Sequence, residues 1–193
     1  RGGPGGAFTV PFHVTGFDAA GAPMASVDRT LVLDREAAEF VFEGVETAPA
    51  FLDWNSGRAF YGAFEDATST PESLAREART SPFLVGRVEA MRRLADREMA
   101  AAIADPAHEP SAGWLALFAA VLADGALPPG IRARMLTLSE EMLDRDYLPR
   151  PRERNAAARR LRRRVAAALG APALLKAFDT ARRAVPDELL AAA

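Results

Sequence analysis

Histidine and cysteine are the side chains most often used to bind catalytic metals, and this chain has two of the first and none of the second. Without cysteine, disulfides and thiolate metal sites are excluded. His108 and Glu109 open a His-Glu-x-x-His pattern. In that pattern two histidines on one helix face bind zinc and the glutamate activates the bound water. Here it stops at once: Pro110 breaks the helix and Ala112 stands where the second histidine is needed. His13 lies in an alternating apolar stretch, so the two histidines fall on different elements and do not make up a three-ligand zinc site. His108 reads as a surface-loop residue and His13 as a half-exposed strand residue. Ser56 and Ser111 have turn and cap roles that account for them. The glycines between Gly2 and Gly6 lack the lysine and following helix of a phosphate loop. The sequence thus nominates no catalytic, cofactor-binding or metal-binding residue.

The densest charge is a run of arginines: Arg150, Arg152, Arg154, Arg159, Arg160, Arg162, Arg163 and Arg164, with Glu153 the one acid among them. Such a run is the electrostatic footprint of a nucleic-acid binder. Helical geometry argues for a plainer reading. With Leu161, Val165, Ala168 and Leu169 turned inward, Arg159 and Arg163 point out and Arg160 and Arg162 flank them. That is a solvated helix face, or one salt-bridged to an acidic neighbour, with arginines near a helix C-terminus suiting its dipole. No aromatic residues interleave to stack on bases, which argues against nucleic acid. Trp54, Phe60, Tyr61 and Phe64 read as strand core, with a domain interface as the alternative.

The chain of 193 residues is 49% hydrophobic and 26% charged, an ordinary globular balance. A net charge of −2 supplies no field towards nucleic acid or membrane, and no apolar run reaches the ~20 residues that span a bilayer. These properties are compatible with the cytoplasm. Arg1 to Gly6 has no apolar core of a signal peptide and reads as a flexible linker, so the chain is expected to begin inside a longer polypeptide.

Two periods divide the sequence. Val10, Phe12 and Val14 alternate, with a bulge expected at Gly16 and a turn over Asp18 to Pro23. Arg29 to Leu33, Glu39 to Phe42, Phe51-Leu52 and Arg58 to Phe64 are further expected strands, with Asn55-Ser56-Gly57 as a turn. From Thr70 the period becomes helical. Ser69 or Thr70 caps a helix entered at Pro71, and Ser81-Pro82 starts another to Ala104, with Leu84, Val85, Val88, Met91, Ala95, Met99 and Ala102 on its apolar face. A helix from Ser111 to Asp124, with Gly125 after it, is apolar nearly all round and should be central. Pro129 to Leu138, Glu140 to Asp144, Pro151 to Leu169 (closed by Gly170) and Pro172 to Arg183 complete the helices. The expected architecture is an Ig-like β-sandwich over residues 1–67, then an α-solenoid of antiparallel helix pairs over residues 68–193. The sandwich is expected to be incomplete, because only some sixty residues precede the helices where about 100 are usual.

The order of these pieces resembles the C-terminal half of bacterial aminopeptidase N, in the M1 family of zinc aminopeptidases. The matching segments are Val10-Pro11-Phe12-His13-Val14 with the Asp18 to Pro23 turn, Ala37 to Val45, Ser81-Pro82-Phe83 before an Arg-Val-Glu-Ala helix, and Ala120 to Asp124 through Leu136 to Glu140. The family's Arg-x-Phe-Ser-Ala-Pro-Val segment is replaced by Asp53 to Ala59, where only Ser56 corresponds, and its Gly-x-Met-Glu-Asn substrate motif is absent. The resemblance implies a non-catalytic region that supports and caps the catalytic domain of the same polypeptide. The parent enzyme would use one zinc to release N-terminal residues from peptides. A stand-alone sandwich–solenoid adaptor is the alternative.

Overall fold

A computed structural model describes residues 9–56, 58, 60, 66–138, 145–147 and 149–183. Three strands come first, β1 (Val10–Phe17), β2 (Pro23–Leu33) and β3 (Phe51–Trp54). Six α-helices follow among the described residues: α1 (Pro71–Thr80), α2 (Leu84–Ala104), α3 (Ala112–Ala123), α4 (Pro129–Met135), α5 (Pro151–Leu169) and α6 (Ala171–Arg183). The expected elements Glu140 to Asp144 and most of Arg58 to Phe64, with Tyr61 and Phe64, lie outside the described residues. The mixed architecture, a small antiparallel sheet followed by helices, is the one the two sequence periods predict. The chain divides into two compact units, Arg1–Ala90 and Met91–Ala193, with α2 running from the first into the second.

In the first unit the sheet order is β2-β1-β3, antiparallel throughout. The register shifts between Thr15 and Gly16, the bulge expected at that glycine. On one face Val14, Val27 and Leu31 are buried, with Phe12, Phe40, Phe42, Val45, Leu52 and Trp54 packed against them. Here one expectation fails. Glu39 to Phe42 is not a strand but irregular chain laid over the sheet. Phe40 meets Phe12 edge-on at 5.9 Å, the Arg29 guanidinium sits 4.3 Å above the Phe42 ring, and Val41 between them is 65% exposed. The alternation at Phe40 and Phe42 is therefore produced by side chains inserting into a core face, not by strand pairing. On the opposite face Phe17 stacks on Phe51 at 4.8 Å and Phe83 closes edge-on at 6.1 Å.

The turn after β1 forms as its residues require. Asp18 Oδ1 accepts from the Ala20 and Ala22 amides, and Gly21 takes φ 84°. A Cβ on Gly21 would lie 2.4 Å from the Thr80 carbonyl oxygen at the end of α1, whereas one on Gly44, also at positive φ, would meet nothing within 4 Å. Gly44→Ala should therefore lose only the conformational term, about 1 kcal/mol, and Gly21→Ala about 2 kcal/mol or more. Urea melts of the two variants check this; equal losses would mean that the Thr80 contact yields freely.

Helix α1 starts where the sequence signals. Thr70 accepts from the Ser73 amide at 3.1 Å and Ser73 Oγ accepts from the Thr70 amide at 2.9 Å, a reciprocal cap ahead of Pro71. In the second unit the buried face of α2 is Met91, Leu94, Met99 and Ala102. Leu84 and Val85, expected on the apolar face, are exposed, because the first turn of α2 is covered on the side of Gly86 instead. In α3 the buried stripe is Trp114, Leu117, Phe118 and Val121. Leu115, Ala119 and Leu122 beside it are half-buried, and Ala112, Ala116, Ala120 and Ala123 are exposed. Part of the all-round apolarity that predicted a central helix is alanine, which loses little at a surface, so α3 leaves a strip of alanines uncovered. Ala157, Ala158, Leu161 and Val165 of α5 are buried, while Ala168, expected inward, is exposed. No described helix is long and apolar enough to cross a membrane.

Candidate functional site

Three polar clusters and the arginine helix hold the side chains capable of chemistry. The first cluster surrounds His13. Its Nε2 donates to Asp28 Oδ1 at 2.7 Å and its Nδ1 accepts from the Thr30 hydroxyl at 3.0 Å, the tautomer that satisfies both partners. Thr15 donates to the same Asp28 oxygen at 3.0 Å and accepts from the Ser56 hydroxyl at 2.8 Å. Cross-strand register explains the group, since β1 pairs His13 with Thr30 and Thr15 with Asp28. His13 is indeed a partly exposed strand residue, with 31% of its side chain accessible.

The second cluster surrounds His108, which does lie in a loop but is less exposed than the surface-loop reading expects. His108 is half-buried, and its Nε2 donates to Glu98 Oε2 at 2.7 Å. The other oxygen, Oε1, accepts from the Ser111 hydroxyl at 2.7 Å and from the Ser111 amide at 3.2 Å. Ser111 in turn accepts from the Trp114 amide at 3.3 Å as the N-cap of α3. Glu98 is only 8% exposed. One carboxylate on α2 thus holds the middle and the far end of the connection to α3. Sequence reading missed Glu98, because a glutamate in an amphipathic helix reads as solvent-facing; its partners lie 10 and 13 residues on and meet it only when the chain turns back.

The third cluster was also missed. Asp53, Glu77 and Ser81 are buried, and their oxygens converge on Gly86: a Cβ there would lie 3.3 Å from Asp53 Oδ2 and 3.4 Å from both Glu77 Oε1 and Ser81 Oγ. The alternation Phe51-Leu52-Asp53 was the available signal, since it turns Asp53 to the same face as Phe51.

The chemistry these arrangements allow follows from connectivity. Acyl transfer by a serine needs the imidazole between the hydroxyl and the acid. Around Glu98 the carboxylate is in the middle, with Ser111 on one oxygen and His108 on the other, so the imidazole is not placed to take the serine proton. Around Asp28 the carboxylate likewise lies between the Thr15 hydroxyl and His13, but the imidazole itself also stands between the Thr30 hydroxyl and Asp28, on an exposed strand pair. Among the described residues there is no group of three or more His, Cys, Asp or Glu side chains that could hold a metal ion. Elsewhere the hydrogen bond from the Arg35 guanidinium, and then its charge, holds the Asp34 carboxyl below its ordinary value. That pair is exposed and contributes little.

The arginine run proves to have two populations. Arg160 donates to the Ala102 carbonyl in the last turn of α2, an acceptor left free by the helix end. Arg162 donates through Nε and Nη2 to the Leu138 carbonyl, the first at 3.1 Å. Arg164 donates to the Ala107 carbonyl at 3.3 Å and pairs with Glu109. These are clamps between segments of the second unit. Arg152, Arg159 and Arg163 instead face solvent. The dipole account of the run does not apply, because the last turn of α5 contains no basic residue. Of the aromatic residues considered for an interface, Trp54 is half-buried against the sheet core, and Phe60 is held through its backbone by the Asn55 side chain.

Comparison with known proteins places this geometry. Residues 73–193 match a family described as a domain of unknown function, DUF3458_C, composed of ARM repeats. No curated protein sequence matches. Among solved structures, the crystal structure of Legionella pneumophila aminopeptidase A in complex with aspartic acid superposes with a TM-score of 0.70 at 22% identity, over 90% of this chain and 20% of that one. The likeness is one of fold, and the present chain spans a fifth of the length of that enzyme.

Proposed function

The chain belongs to the DUF3458_C family of ARM-repeat domains, and from that membership we propose that it is a non-catalytic C-terminal part of a zinc-dependent aminopeptidase of the M1 family. In this reading it supports the catalytic domain of the same polypeptide and caps its cavity. The whole enzyme then releases N-terminal residues from peptides in the cytoplasm. One observation carries the proposal: a chain whose helical part matches this family superposes, sheet and helices together, on a fifth of an aminopeptidase. The internal chemistry is in keeping with it. The polar clusters are occupied by cross-strand bonds, a helix cap and a loop tie, which position backbone segments, and the Thr30 hydroxyl that meets His13 is an exposed strand side chain.

The test has two parts. The isolated chain, assayed with alanine and arginine amides and measured for metal by elemental analysis, is expected to show no turnover and no stoichiometric zinc. Zinc-dependent turnover with about one metal per chain would overturn the non-catalytic reading. The upstream reading frame is expected to encode His-Glu-x-x-His on a continuous polypeptide; a start codon immediately before Arg1 would instead favour the stand-alone adaptor.

A further inference from the structure

We infer that the outward line of arginines on α5 is a docking surface for an acidic helix. Arg152, Arg159 and Arg163 are all exposed, and among the described residues none of them has a hydrogen-bond or ion-pair partner. At 3.6 residues per turn they fall within about 40° of arc, and at 1.5 Å per residue they are spaced about 10 Å and about 6 Å along the axis. Glu153, the one acid on α5, sits about 100° around from that line.

The fold does not explain this stripe. Arg160, Arg162 and Arg164 each satisfy a backbone carbonyl. The outward three do nothing comparable and carry local penalties. Arg152 lies in the first turn of α5, where the helix dipole disfavours positive charge. Arg159 and Arg163 are like charges four residues apart, a destabilising pair. An anionic partner would relieve all three.

The observations favour a helix over a nucleic acid. A second helix laid along α5 has the same rise per residue, so carboxylates repeating at seven and four residues meet each guanidinium in turn. Residues between and beyond the arginines on that side are small, Asn155 and Ala166 among them, and let a partner approach closely. A polyanion would meet a chain of net charge −2, on a helix without aromatic residues for base stacking.

The test uses the 193-residue chain and a hydrocarbon-stapled helical peptide with glutamates four, three and four residues apart, which presents the matching line in either direction. The control peptide has the same composition with its glutamates spread around the helix. In fluorescence anisotropy at low salt the aligned peptide is expected to bind at least about tenfold more tightly than the control, and to weaken as salt rises. The triple variant Arg152→Glu, Arg159→Glu, Arg163→Glu is expected to lose that binding with a thermal melt no lower than the parent's, and to bind the lysine version of the aligned peptide instead. Failure of that charge-swapped pair to bind, equal binding of aligned and control peptides, or tighter binding of duplex DNA than of the aligned peptide would each overturn the proposal. These outcomes are independent of whether the chain belongs to an aminopeptidase.

Discussion

Trp114→Ala is expected to destabilise the chain by about 3–5 kcal/mol, and Phe118→Ala by a similar amount, the range for emptying a large buried aromatic site. The two rings pack edge-on at 5.6 Å on the buried face of α3, with Leu117 and Val121 completing the stripe. The exposed alanines of α3 lie round the helix from that face and cannot fill the space, so the cavity term is felt. Trp114→Phe isolates packing from polarity. The indole Nε1 is buried without a hydrogen-bond acceptor among the described residues, so phenylalanine loses some volume but also removes an unsatisfied donor. Its loss should stay below about 1.5 kcal/mol. Arg163→Ala, on the exposed side of α5, should change stability by no more than about 0.5 kcal/mol. Denaturant melts followed by circular dichroism rank the variants. Arg163→Ala costing more than Trp114→Ala would show that the faces of α3 and α5 are misassigned.

Glu98→Ala should cost about 3 kcal/mol, although it removes a charged residue and empties little apolar volume. The carboxylate accepts two bonds from Ser111 and one from His108, and hydrogen bonds to a charged group contribute about 1.5–3 kcal/mol each where burial limits water. Removal also loosens the Ser111 cap on Trp114 and hence the start of α3. Glu98→Gln retains an acceptor for Ser111 and should cost about 1 kcal/mol. The contrast separates hydrogen bonding from helix propensity, since alanine is the better helix former and propensity alone predicts the opposite order. Amide exchange at Trp114 gives a local readout: it should accelerate in Glu98→Ala and stay near the parent in Glu98→Gln. Alanine and glutamine variants of equal stability would remove Glu98 from this role.

Signals confined to a few residues were legible in the sequence. Thr70 before Pro71, Ser111 before α3, Gly170 after α5 and the Asp18 turn each act through hydrogen bonds or dihedral limits within about four residues. What depended on contacts distant in sequence was not. Glu39 to Phe42 carried a strand pattern, but pairing needs a neighbouring strand, and the segment instead inserts two aromatic rings into a core face. The buried carboxylates of Glu98, Glu77 and Asp53 were missed for one reason: a lone acidic letter is read as exposed unless its partners are known, and those come from other elements. The arginine run was correctly placed on a helix, yet its division into clamps and free cations required the positions of carbonyls far along the chain.

Those clamps have a consequence for how the polypeptide leaves the ribosome. The Ala102 carbonyl waits 58 residues for the guanidinium of Arg160, and that of Ala107 waits 57 for Arg164. During synthesis these two carbonyls emerge with water as their partner, while Glu98 can already hold His108 and Ser111 beside them. Their final bonds form only when α5 has been made and has found its place. Closing such long loops is paid in chain entropy before any bond returns it, so the helical unit is built to set late, with α5 as its final fastening.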